Sequence, residues 1–270
     1  MPCVNEINAL QPQVEKIAVA AGNAILSIYE RDFEIVTKTD DSPLTEADLA
    51  AHNVIIAGLE AMSDLPILSE ESADIPWSTR QTWDSYWLVD PLDGTKEFIK
   101  KNGEFTVNIA LISDGVPVLG VVYAPVLDTL YSGVVGHCAT KTVKGEATAI
   151  SPASRSDAQT YQVVGSRSHQ SPEIQQFIAA LDKTAELVSM GSSLKLCLVA
   201  EGAAHFYPRL GPTSEWDTGA AHAVALAAGA TVTELSLETI AASATNPTSQ
   251  TPLRYNQSES VLNPFFLVSC

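Results

Sequence analysis

Apolar residues recur at helical spacing from the start of the chain. Ile7, Val14, Ile17, Ala18, Ala21, Ile25 and Ile28 fall close to one face between Val4 and Tyr29, predicting a long amphipathic helix in which Pro12 marks a start or a break. A second helix is expected from about Thr45 to Met62. Short apolar runs then take over. Pro66–Leu68 predicts a strand ending at Ser69-Glu70-Glu71, and Tyr86–Val89, Thr106–Ile112, Val116–Tyr123 and Thr129–Val135 predict further strands, with Asp114-Gly115 as a hairpin turn. This half reads as an antiparallel sheet packed with long helices.

Around Gly145–Thr160 the chain turns to Ser, Ala, Thr and Asp with little apolar periodicity. The boundary is placed there, dividing an α+β unit over residues 1–150 from a smaller α/β unit over residues 151–270. In the second unit the pattern predicts strand Tyr161–Gly165, helix Pro172–Leu181, strand Glu186–Met190, helix Ser192–Glu201, strand Ala204–Pro208 and helix Asp217–Ala228. Strands near Thr231–Leu237 and Phe265–Val268 complete it, and the alternation makes the fold class α/β.

At 270 residues and 46% hydrophobic content, the chain can bury a substantial core. No apolar run approaches the roughly 20 residues of a membrane span, and the opening MPCVNEINALQPQVEK lacks the regions of a secretory signal, so a cytoplasmic protein without an integral membrane segment is expected. Cys3, Cys138, Cys197 and Cys270 are scattered without metal or disulfide spacing and read as reduced thiols. A net charge of −17 argues against nucleic acid as a partner. It also sits awkwardly with a phosphate ligand, unless bound divalent cations reverse the local sign.

The stretch Trp87–Thr95 reads as an apolar strand delivering Asp90 and Asp93 into a turn before a helix, Thr95–Lys101. The two carboxylates and the Leu92 carbonyl between them can share one space, and magnesium prefers such oxygen ligands. Gly94 lets a ligand approach the backbone, and Thr95 lies where free N–H groups favour an anion. The plainer alternative is an acidic turn whose side chains cap the helix. Capping is equally open to Asp217, at a helix start, and to Asp48, in a Thr45-Glu46-Ala47-Asp48 box. Glu70 and Glu71 taken alone would be ordinary loop acids. No H-E-x-x-H, G-x-S-x-G around Ser166, Ser168 or Ser193, P-loop or G-x-G-x-x-G occurs, and His52, His137, His205 and His222 show no ligand pairing.

Three motifs in order, Ser69-Glu70-Glu71, Asp90-Pro91-Leu92-Asp93-Gly94-Thr95, and Trp216-Asp217 followed after eleven residues by Gly229-Ala230, resemble those of the magnesium-dependent, lithium-sensitive phosphatases related to inositol monophosphatase. Ala230 departs from that family's second Gly. The resemblance covers essentially the whole chain. Through DSPLTEADLAAH, YWLVDPLDGTKEFIKKNGEFTVNIALI, GSSLKLCLVAEG and YPRLGPTSEWDT, it is strongest to the bacterial 3′(2′),5′-bisphosphate nucleotidases.

The resemblance implies a layered αβαβα sandwich of the inositol monophosphatase and fructose-1,6-bisphosphatase type. It implies two or three Mg2+ ions held by Glu70, Asp90, the Leu92 carbonyl, Asp93 and Asp217. Glu70 and Thr95 would orient and deprotonate a metal-held water, with Asp48 polarising the Thr95 hydroxyl. The expected reaction removes the 3′-phosphate of 3′-phosphoadenosine 5′-phosphate to leave AMP, with the related phosphosulfate as a second substrate in sulfate assimilation. Activity on inositol monophosphate or fructose 1,6-bisphosphate, or a non-catalytic nucleotide or metal sensor, are the alternatives. Substrate contacts are expected from Glu70, Leu92, Asp93, Gly94, Thr95 and Asp217. From the second half they are expected at Gly191, Ser192, Ser193 and Arg209, and more weakly at Lys195, Arg167 and His169; capping by Ser192 and a surface ion pair for Arg209 stay open. Family members include monomers and homodimers, and peripheral association with the inner membrane is attributed to bacterial relatives.

Overall fold

The structure, a computed structural model, describes residues 3–30, 35–37, 43–165, 171–247 and 250–270. Helix α1 (Val4–Tyr29) has the predicted bounds but runs through Pro12 without a break. A mid-helix proline costs about 3 kcal/mol. Pro12 faces solvent, however, while Ile7, Val14, Ile25 and Ile28 are buried, each contributing roughly 1.5–3 kcal/mol. An antiparallel pair, β1 (Ile35–Thr37) and β2 (Pro43–Thr45), leads into α2 (Glu46–Glu60).

Strand β3 (Ile67–Ser69) ends in a single 3-10 turn, Glu70–Ser72, and the short helix α3 (Trp77–Arg80) follows. The expected turn at DPLD is instead part of β4 (Ser85–Asp93). Asp90 pairs with Asn108 and Asp93 with Thr106, and the register shifts between them. Pro91 has no N–H for the ladder, and a bulge accommodates that loss without ending the strand. Helix α4 (Thr95–Ile99) is shorter than expected, capped by Lys100. Strands β5 (Thr106–Ser113) and β6 (Val116–Ala124) join through Asp114 and Gly115, at φ 51° and 73°, the positive values this tight turn requires. Then come β7 (Thr129–Val134), β8 (Cys138–Val143) and β9 (Glu146–Ala149). The last two were not anticipated, because β9 is exposed throughout and β8 mostly half-buried, leaving no apolar alternation.

The second half contains β10 (Tyr161–Gly165), α5 (Pro172–Ala179), β11 (Ala185–Ser189), α6 (Leu194–Ala200) and β12 (Phe206–Arg209). It continues with α7 (Gly219–Ala228), β13 (Thr231–Glu234), α8 (Ile240–Thr245), which the pattern missed, and β14 (Phe266–Ser269). Among the described residues the strands form a seven-stranded sheet, ordered β3 to β9, and a mixed five-stranded sheet in the order β11-β10-β12-β14-β13.

Five layers result. Helices α1 and α2 bury one face of the large sheet, α6 and α7 lie between the sheets, and α5 and α8 cover the far face of the small one. The middle layer is close because its residues are small. Ala110, Gly120, Gly133 and Ala139 are register partners across β5 to β8, forming a trough of small side chains. The backbone of α7 lies in it: a Cβ on Gly120 would collide with the Ala220 carbonyl, and one on Gly133 would come 3.0 Å from Val224 Cα.

Candidate active site

The parallel pairing of β3 with β4 matches Ser69 to Val89, so Glu70 and Asp90 emerge side by side one step later. Asp217 arrives from the other half on the loop before α7. It does not cap that helix, whose N-cap is Thr218; its Oδ2 instead accepts the Ser214 N–H at 2.9 Å. Glu70, Asp90 and Asp217 each present a carboxylate oxygen, and the three oxygens lie within 4.8 Å of one another.

Such crowding changes the acids. Burial, then Glu70, Asp93, Asp217 and Asp48, pushes Asp90 well above the usual carboxylate range. Asp217 is pushed up to about 8, chiefly by burial and then by Asp93. Asp93 rises to about 6, with burial opposed by Lys195 and the Ser193 N–H. Asp90 Oδ1 accepts the Leu92 N–H at 3.0 Å, whereas its Oδ2 is buried without a hydrogen-bond partner among the described residues. An oxygen-only donor set with an orphaned buried carboxylate oxygen fits a hard divalent cation.

The other expected residues gather around this cluster. Asp48 is buried in the first turn of α2 and adds to the field on Asp90. The side chain of Thr45, its partner in the expected capping box, lies outside the described residues. Thr95 Oγ1 donates a long 3.5 Å bond to the Leu92 carbonyl, and Gly94 has φ 94°, a left-handed conformation that favours glycine. Ser69, just before Glu70, is held by His52 Nδ1 at 2.9 Å.

The second-half residues form the opposite wall. A cleft of about 690 Å³ runs from Asp93 and Asp217 between Glu97 and Glu104 on one side and Gly191, Lys195 and Arg209 on the other. The serine hydroxyls are engaged across the halves rather than in capping: Ser193 Oγ donates to Asn108 Oδ1 at 2.7 Å, and Ser192 Oγ lies 3.1 Å from Thr106 Oγ1. Gly191 abuts Glu104, whose carbonyl would stand 2.7 Å from an added Cβ. Among the described residues Arg209 makes no ion pair; it donates to the carbonyls of Gly211 and Pro212 at 3.1 and 2.7 Å. Lys195 donates to Ser192 O at 2.6 Å and stands beside Asp93, its pKa lowered by burial.

Thr106 and Asn108 escaped the sequence reading, although two polar residues at alternate positions of an apolar strand were the available signal. Arg167, His169, Ser166 and Ser168 lie outside the described residues. His222 is a core residue bonded to the Tyr255 hydroxyl at 2.9 Å, and His205 Nδ1 accepts the Gln162 N–H at 3.0 Å. All four cysteines are free. No described helix is long and apolar enough to cross a membrane.

The 3′(2′),5′-bisphosphate nucleotidase CysQ of Escherichia coli (strain K12) is 50% identical over 261 residues, 95% of this chain and 98% of the relative. The crystal structure of CysQ from Bacteroides thetaiotaomicron superimposes with a TM-score of 0.78 at 44% identity, covering 94% of each chain. Inositol monophosphatase from Anabaena does so at 0.72 with 25% identity, over 98% of this chain and 91% of that one. Residues 8–262 match the inositol monophosphatase family as a whole, so the chain belongs to the inositol monophosphatase family.

Proposed function

We propose that this protein is a magnesium-dependent 3′(2′),5′-bisphosphate nucleotidase that removes the 3′-phosphate of 3′-phosphoadenosine 5′-phosphate, leaving AMP and phosphate. The observation that carries the reading is the convergence of Glu70, Asp90 and Asp217, from three separate segments, in a chain half identical to CysQ over nearly its whole length. Glu70, Asp90, the Leu92 carbonyl, Asp93 and Asp217 would hold two or three Mg2+ ions. Bound magnesium supplies Lewis acidity, neutralising phosphoryl oxygens and making water a better nucleophile at neutral pH.

The chain's own residues do the rest. Glu70 accepts a proton from the attacking water, and the Thr95 hydroxyl, with Asp48 behind it, orients that water in line with the scissile bond. The new oxygen–phosphorus bond forms as the bond to the 3′ oxygen breaks; that oxygen takes up a proton from water in the cleft, and Glu70 releases the proton it accepted back to solvent. Gly94 and Thr95 N–H groups meet the phosphoryl oxygens. Lys195 and Arg209, cationic groups on the opposite wall, favour a second phosphate over a neutral ring, which supports a bisphosphate nucleotide rather than inositol monophosphate. The reading includes sulfate assimilation as the setting, the phosphosulfate as a second substrate and a cytoplasmic location.

A phosphate-release panel across 3′-phosphoadenosine 5′-phosphate, its phosphosulfate, inositol monophosphate and fructose 1,6-bisphosphate, each titrated with magnesium, tests the assignment. The bisphosphate nucleotide is expected to have the highest kcat/KM. Faster release from inositol monophosphate would overturn it.

A further inference from the structure

Arg80 lies on the chain between Glu70 and Asp90, yet takes no part in the acid cluster. It is only 3% exposed, and its guanidinium is bonded in three directions. Nε donates to Ile75 O at 3.2 Å, Nη1 to Asn256 Oδ1 at 3.1 Å and Nη2 to Glu259 O at 2.7 Å. Asn256 answers by donating Nδ2 to the Arg80 carbonyl at 2.7 Å, and its backbone N–H goes to Glu215 Oε1 at 2.8 Å. Glu215 is itself buried, two residues before Asp217. Its N–H is bonded to Val261 O at 2.8 Å, and its carbonyl accepts the Thr218 hydroxyl and the Gly219 N–H, both at 3.0 Å. One chain of hydrogen bonds therefore runs from the segment after Glu70, through Asn256, to the loop that presents Asp217.

Burying an arginine and a glutamate carries a desolvation cost of several kcal/mol per ion, and apolar side chains of similar size would fill the same space without it. Fixed geometry is what the polar version offers that packing does not. We propose that Arg80, Asn256 and Glu215 are positioning residues that hold Asp217 in register with Glu70 and Asp90, so that the three carboxylates meet a divalent cation already arranged. This rests on the metal-site reading above. None of the three touches the cation; they act through the loop that carries Asp217.

The test uses Mn2+ as probe, its free signal followed by electron paramagnetic resonance, on the full chain and four variants. Asn256→Gly is the informative one: Asn256 has φ 54°, which glycine tolerates, so both side-chain bonds vanish with little backbone strain. Arg80→Met removes the fork, Asp217→Asn removes a proposed ligand, and Lys141→Met, cutting the ion pair with Glu201, serves as a stability control. The expected result for Asn256→Gly and Arg80→Met is a Mn2+ Kd raised about tenfold or more, the range for partners that orient ligands, with kcat at saturating magnesium largely kept. Lys141→Met should lower Tm without moving the Kd. Mn2+ binding as tight as wild type in Asn256→Gly, together with loss in Asp217→Asn, overturns the positioning role alone. Unchanged binding in Asp217→Asn as well overturns the metal reading beneath it. Should Arg80→Met fail to fold, Asn256→Gly decides.

Discussion

The two walls of the cleft are built from opposite materials. The wall from the large sheet carries Glu70, Asp90 and Asp93 at the ends of β3 and β4, strands whose hydrogen-bond register fixes where the acids emerge. The opposite wall supplies Lys195 and Arg209 with a single carboxylate, Asp217, and its elements are short and joined by loops. Asp90 and Asp93 sit in a paired strand and Glu70 directly follows another, whereas Asp217 reaches them from a loop. Of the cationic groups, Lys195 sits in the first turn of α6 and Arg209 at the last position of the short strand β12. Under the proposed function the labour would divide along the same line, with bond breaking centred on the first wall and Asp217, and substrate choice on Lys195 and Arg209.

Removing an acid from the first wall should do the most damage. Asp93→Asn is expected to lower kcat at least about a hundredfold, above what loss of an outer partner costs, and a magnesium titration of initial rates checks it. Full activity at limiting magnesium would erase the distinction between the walls. The next largest effect concerns their attachment. Gly120→Ala should destabilise the fold by about 2 kcal/mol, because α7 has no room to retreat from β6, and the midpoint of urea unfolding reads this directly.

Arg209→Ala tests the second wall. It should raise KM for the bisphosphate nucleotide about tenfold while leaving kcat nearly intact, the signature of binding shared by ground and transition states. A fall in kcat of the same size would move Arg209 to the reacting side. Over a single pH unit, an effect of similar size comes from the partition itself. His222, in α7, is pushed down to about 3 by burial, from an ordinary 6.5. The unfolded chain takes that proton first, so the contribution to stability is complete above about pH 6.5 and fades as pH falls toward 3. Urea stability should lose up to about 1.4 kcal/mol per pH unit through this window, and His222→Gln should flatten the slope. An unchanged slope would mean that the histidine protonates within the fold.

Local patterns made much of this legible. Helix α1 and strand β10 have the bounds their apolar spacing predicts, and Asp114-Gly115 turns as that pair should. Misreadings arose where tertiary context overrode a local rule. Pro12 sits inside a helix because the opposite face is buried, DPLD continues a strand because a bulge absorbs Pro91, and Asp217 lies before its helix rather than at its cap. Strands β8 and β9 went unseen because β9 is exposed throughout and β8 mostly half-buried, so neither shows an apolar alternation. The meeting of Glu70 and Asp217 is long-range, so spacing alone could not supply it; only the resemblance pointed there. The engagement of Ser192 and Ser193 with Thr106 and Asn108 likewise belongs to the contact between halves, not to either strand or helix alone.

The trough that receives α7 gives that helix a further role, as a shim. Its glycine and alanines set how near the two sheets stand, and therefore how wide the gap is into which a phosphate ester must slide. Enlarging any of them toward the trough would act as a spacer at the hinge of a clamp. The aperture would widen, and substrate fit would change, without a single charged group having moved on its own wall.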